Sequence, residues 1–193
     1  MLVVDLSCIT SGYFDGEELS MKTFLRFFGV FLLSVVTVGL IIPNKVDVRR
    51  SVEIDAPVQE VHRYINDLEQ WSNWSPWLAL DPSIKTTFGE IRKGIGASQS
   101  WRGTSGNGAM TITESSPANG INYKMSFEGD PTRYQAGLSY QQKGSKTIVT
   151  WYMTGAMEPI IIGNYFSLLM DSLIGDSFVM GLEQLKVLVE ESR

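Results

Sequence analysis

A single histidine, His62, and a single cysteine, Cys8, bound the chemistry open to this 193-residue chain. One thiol builds neither a disulfide framework nor a cysteine zinc site. One imidazole rules out a His-rich metal centre and leaves little for histidine catalysis. No metal or cofactor site is expected. No Ser–His–acid trio assembles convincingly from the pattern, and no carboxylate pair stands out. Gly94-Ile95-Gly96 and the run from Gly103 to Gly108 lack the lysine and the strand-to-helix context of a phosphate loop, so they read as turns. His62 lies between Val61 and Arg63, and the stripe of Val58, Val61, Tyr64, Ile65 and Leu68 predicts that it faces water. Asp171, beside Met170, is expected on the solvated surface, the alternatives being that it reaches an interior cavity or caps neighbouring backbone. Glu128 and Asp130 read as loop charge.

What remains for chemistry is apolar and amphipathic. Trp101, Met110, Tyr123, Met125, Phe127, Tyr140, Trp151 and Met153 fall on one side of alternating segments, and Phe166 and Met170 fall on a helical stripe. These ten are the candidate ligand-binding residues. Flexible methionines and amphipathic aromatics suit adaptable binding of an apolar molecule. Trp101, Tyr123 and Tyr140 would serve as its polar anchors. The same residues also suit a filled core. Trp71, Trp74 and Trp77 either gate the mouth of a cavity or touch lipid headgroups, or else plug the open end of a sheet.

The elements that must position these side chains are legible in the periodicity. Val46, Val48, Val52 and Ile54 alternate with polar residues as a strand, with Arg50 breaking the apolar side. Asp55-Ala56-Pro57 stops it and starts a helix. From Lys85 the period is two, with the sets 110/112, 121–127, 134–140 and 149–153 inward, which predicts an antiparallel sheet with one covered face. Turns punctuate it at Gly103–Gly108, Ser116–Gly120, Gly129–Pro131 and Lys143–Ser145. A long helix from about Gly163 to Glu191 closes the chain, carrying Leu173, Ile174, Phe178, Leu182 and Leu185 at helical spacing. Gly163, Gly175 and Gly181 within it predict close packing or a bend.

The N-terminus is different in kind. No charge occurs from Phe27 to Asn44, and a run apolar on every face suits lipid better than a protein core. Residues 21–44 are expected to form a single-pass transmembrane anchor, the rival being a cleaved signal peptide. Residues 1–20 are a leader carrying acids and no base. Met21-Lys22-Thr23-Phe24-Leu25-Arg26 has the basic start of an export or anchor segment, so Met21 is the expected initiator and the leader is expected to be untranslated. Basic residues are nearly balanced across the span, and the export-like start places residues 45–193 on the non-cytoplasmic side. Sixteen Lys and Arg against 21 Asp and Glu give a net charge of −5, with no basic footprint for nucleic acid.

The segment from Ser51 to Val61, Ser-Val-Glu-Ile-Asp-Ala-Pro-Val-Gln-Glu-Val, resembles the opening signature of the polyketide cyclase/dehydrase and lipid-transport family. That family belongs to the START and birch-pollen-allergen-like superfamily. Trp71–Trp77, Thr150–Gly155 and Asn164–Asp171 are similar to bacterial members. The likeness covers about Val46 to Glu191. It implies an α+β helix-grip fold: a curved antiparallel sheet of six or seven strands wrapped around the C-terminal helix, with an apolar cavity between them. The implied function is a membrane-tethered binder of a small apolar or lipid-like ligand. A cyclase or dehydratase using the same cavity, or an interaction domain with a filled core, are the alternatives.

Overall fold

The computed structural model describes residues 21–157 and 160–192. The 1–20 leader lies outside them. The chain parts into two compact units at Thr37/Val38. Helix α1 (Met21–Ile41) leaves almost all of its large apolar side chains exposed. At about 1.5 Å per residue its 21 residues reach about 31 Å, the thickness of a hydrocarbon core. By length and composition, both α1 and the C-terminal helix are able to cross a membrane.

The second unit holds strand β1 (Lys45–Ile54), helix α2 (Val58–Ile65), a 3-10 helix (Leu68–Asn73), the one-turn helix α3 (Trp77–Leu80), strands β2 (Lys85–Phe88), β3 (Ser98–Arg102), β4 (Gly108–Ser116), β5 (Gly120–Phe127), β6 (Tyr134–Lys143) and β7 (Lys146–Ala156), and helix α4 (Ile160–Glu191). The strands form one antiparallel sheet in the order β1-β7-β6-β5-β4-β3-β2. β1 pairs with β7 from Lys45↔Ala156 to Ile54↔Thr147, and this long-range pairing brings the two ends of the domain together. The fold is the expected α+β helix grip, with seven strands.

Alternation is kept along most of the sheet. Val46, Val48, Met110, Ile112, Tyr123, Leu138, Trp151 and Met153 are buried on the inner face. β4 departs from it: the register with β5 shifts between Ile112 and Glu114. This bulge reverses parity, so Ser115 rather than Ser116 turns inward opposite Ile121.

Helix α4 grips with its second half. Phe178, Leu182, Leu185 and Val189 are buried against the sheet. Its glycines are seats for neighbours. A Cβ on Gly181 would lie 2.7 Å from the Trp151 ring and 2.9 Å from Pro76, and one on Gly175 would run into the Arg50 guanidinium. Arg50, the residue that interrupts the apolar side of β1, lies along α4 and forms a two-pronged ion pair with Asp171 (Nη1–Oδ1 2.8 Å, Nη2–Oδ2 3.0 Å). Asp171 is thus solvent-accessible, as expected, and also tied to the sheet.

An exposed helix gains about 1 kcal/mol when glycine becomes alanine. Gly181→Ala is expected to lose stability instead, because the rigid Trp151 and Pro76 rings must move. Urea denaturation of the full chain in detergent, followed by tryptophan fluorescence, checks the sign.

Candidate functional site

The inner face has two unlike ends. At one end it is filled by a cluster of aromatic rings around Trp151. Trp151 is 1% exposed and stacks on Phe178 with ring centres 4.3 Å apart and planes 2° from parallel. Trp74 and Trp77 meet it edge-on at 5.4 and 6.4 Å, and Trp71 at 6.3 Å. Its N–H donates to the Tyr123 hydroxyl at 2.9 Å, and burial raises the Tyr123 pKa. The Trp71 and Trp74 indoles donate to the carbonyls of Ile65 and Tyr64 at the end of α2. Of the two readings of this tryptophan run, Trp71 and Trp74 take the plug; Trp77 remains partly exposed.

At the other end the inner face is only half covered. Phe88, Trp101, Met125, Phe127, Met157, Met170 and Ile174 pack against the core without being enclosed by it. Trp101 lies over Gly108, whose missing side chain leaves room for the ring, and meets Phe127 edge-on at 5.8 Å. Phe127 in turn meets Tyr134 at 5.6 Å. The Tyr134 hydroxyl donates to Asp130 at 2.8 Å. Burial first, and then that carboxylate, push the Tyr134 pKa up to about 12. The strand register puts this half-covered rim at the Val46 end of the sheet, close to where β1 begins.

The ten sequence-derived candidates therefore divide. Met110, Tyr123, Trp151 and Met153 are in the closed core; Trp101, Met125, Phe127, Tyr140 and Met170 are partly buried; Phe166 is 51% exposed on α4. Two open grooves, of about 490 and 310 Å³, lie on the outer face of the sheet. Outward residues such as Thr111, Lys124, Ser126 and Gln135 line the larger, together with Met110, Met125 and Tyr134, and Asn122 and Tyr152 line the smaller together with Tyr123, so three of the ten candidates border these grooves.

A polar cluster sits beyond the aromatic plug, at the closed end. His62, expected in water, is 8% exposed. It follows Val58 by four residues and precedes Ile65 by three, so it belongs to the inward stripe, and that spacing was the signal for its burial. The Tyr140 hydroxyl is 3.1 Å from Nδ1 and the Ser115 hydroxyl 3.5 Å from Nε2, while Ser115 donates to Asn66 Oδ1. One direction satisfies all four groups: Tyr140 O–H to Nδ1, Nε2–H to Ser115, Ser115 O–H to Asn66. Burial, and then the positive charge of Lys93, lower the His62 pKa; burial raises that of Tyr140. Both are neutral at pH 7. Ser115 joins the cluster only because of the β4 bulge. Asp81 is also buried, its carboxyl held well below the ordinary range by donors from Ser83 and Ser105. With every nearby partner a donor, it locks two loops together. Among the described residues no group of acids, histidines and cysteines is placed to hold a metal ion.

Comparison with known proteins agrees with this geometry. Residues 45–190 match the model of a family described as polyketide cyclase / dehydrase and lipid transport. No curated protein matches the chain. Among solved structures, a Thermobifida fusca protein is similar at 22% identity and a TM-score of 0.59, over 75% of this chain and 93% of that one. A Thermus thermophilus protein matches at 20% identity and 0.53, over 76% and 98%. Norcoclaurine synthase from Thalictrum flavum, solved with a transition-state analogue, matches at 12% identity and 0.58, over 77% and 96%. At such identities these likenesses carry the fold alone.

The lowered His62 pKa fixes a pH dependence. The unfolded chain, with an ordinary histidine near 6.5, takes up a proton before the folded one does. Stability is fully present above about pH 7 and falls as the pH drops through that unfolded value. Thermal melts at pH 7.5 and 5.5 are expected to show the loss, and His62→Gln, in the only histidine of the chain, is expected to flatten it.

Proposed function

The chain belongs to the polyketide cyclase/dehydrase and lipid-transport family, and on that premise we propose that it is a membrane-tethered binding protein for a small apolar or lipid-like ligand. The ligand is taken up at the half-covered end of the inner face, against Trp101, Met125, Phe127 and Met170. Helix α1 is the tether, and the domain lies on the non-cytoplasmic side. The observation that supports this reading is the unequal filling of the grip. Apolar side chains on an inner face are normally enclosed, and here those at one end are left with solvent access beside the start of β1. A tether holds such a mouth near the bilayer and raises the local concentration of a membrane-derived ligand.

Catalysis of a cyclase or dehydratase type is the second reading, and the His62–Tyr140 pair is what favours it. The position of that pair counts against it. Tyr140 pairs with Val149, whereas Trp151 pairs with Leu138, so the tryptophan plug stands between this pair and the open rim. A proton carrier has to come within about 3 Å of the group it serves. Binding without turnover therefore accounts for more of the arrangement.

Native mass spectrometry of the full chain released from nanodiscs is expected to show an apolar adduct. Met125→Trp, which fills the rim, is expected to lower its occupancy several-fold, whereas Gln141→Trp on the exposed far end of β6 leaves it unchanged. A wild-type chain free of adduct under every lipid load overturns the binding reading.

A further inference from the structure

We propose that the first half of α4 is itself a membrane-binding element, lying in the boundary between headgroups and acyl chains of the leaflet from which α1 emerges. This rests on the reading of α1 as a tether and extends it: the grip helix, as well as the tether, touches lipid.

Three observations carry it. The first is apolar exposure. Ile162, Phe166, Leu169 and Leu173 are 60%, 51%, 54% and 62% exposed, and their spacing of four, three and four residues places them in one stripe. Leu168, at 60%, widens it. Soluble surfaces rarely carry so continuous an apolar strip.

The second is charge. No charged residue occurs from Ile160 to Met170. The first one, Asp171, is matched by Arg50 in a two-pronged ion pair. About three uncharged turns are too short to cross a bilayer but suit an interfacial segment. The second half of α4 buries Phe178, Leu182, Leu185 and Val189 in the domain, so α4 does not cross, although its length and composition would allow it.

The third is position. Asn164 donates to the carbonyl of Gly39 at 2.6 Å, and Gly39, lacking a side chain, lets Ile161 and Tyr165 close on the last turn of α1, which belongs to the second unit. Ser167 donates to the Pro43 carbonyl at 2.8 Å. The uncharged stretch of the N-terminal segment runs on to Asn44. Within the second unit, the first turns of α4 therefore lie beside Gly39 and Pro43, in the final uncharged residues before Lys45. Side chains exposed at that level meet lipid. A second copy of the chain is the other natural occupant of such a stripe. Asp176 interrupts it after two heptads, short of the three or four that a coiled-coil seam needs.

The test uses the full chain, with Cys8→Ser, in phosphatidylcholine vesicles containing a fifth phosphatidylglycerol. Leu169→Cys, Leu173→Cys and, as a water-exposed control, Gln141→Cys each carry a bimane label. These three side chains are exposed, so the substitutions leave the fold alone. Spin-labelled lipids with the nitroxide near the headgroup are expected to quench the labels at 169 and 173 several-fold more than the control, and aqueous iodide the reverse. Labels at 169 and 173 as open to iodide as the control, on protein that resists carbonate extraction, overturn the inference and leave the tether standing. Labels shielded from both quenchers mean that protein covers the stripe, and also overturn it. Protein released by carbonate overturns the tether and the inference together.

Discussion

The packing of Trp151 is the constraint on which the rest of the domain depends. Its ring is stacked on Phe178 of α4, edged by Trp71, Trp74 and Trp77, and hydrogen-bonded through its N–H to Tyr123 on β5. One side chain thus joins the sheet, the grip helix and the segment after α2. Gly181 and Pro76 complete the fit. Aromatic contacts of this kind add about 0.5–1.5 kcal/mol each beyond the area they bury. Because the cluster fills one end of the grip, most of the partly covered apolar side chains lie at the other end, with Tyr140 and Leu188 the exceptions. The asymmetry of the interior is a consequence of where five large rings were placed.

That asymmetry gives α4 two environments. Its second half has the sheet as its partner and behaves as a core helix. Its first half has apolar residues on its outward side as well, and is held in place by polar contacts at its edges: Asn164 on the Gly39 carbonyl, Ser167 on the Pro43 carbonyl, and Asp171 on Arg50. Arg50 is instructive. On an inward strand position a lone guanidinium would be costly to bury. Here it runs along α4 over Gly175 and meets the Asp171 carboxylate, so its charge is paired while its stem covers apolar surface.

The polar interior was the least legible part of the sequence. His62 reads as solvent-facing because it sits between Val61 and Arg63 and outside the apolar set of Val58, Val61, Tyr64, Ile65 and Leu68, yet its spacing of four from Val58 and three from Ile65 puts it on the same face. Ser115 was hidden for another reason. Strand parity is a strict period of two only until a bulge, and nothing in Thr113-Glu114-Ser115 announces one. The resulting chain from Tyr140 through His62 and Ser115 to Asn66 is assembled from β6, α2 with its C-terminal cap, and β4, and sequence spacing relates only His62 to Asn66.

Other parts were determined by the sequence alone. An uncharged apolar run makes a helix with no polar face wherever it is placed, and alternation in β1 and β5–β7 assigns each residue to a face whatever the strand order. A helix grip of six or seven strands is what the family signature at Ser51–Val61 implies, in agreement with that pattern, and the structure has seven. What only the tertiary structure decided is which apolar residues are enclosed. Leu168 and Leu182 lie on one helix fourteen residues apart, within about 40° of each other around its axis, yet one is 60% exposed and the other 1%. Periodicity specifies the direction a side chain takes from its own element; burial depends on whether another element stands in that direction.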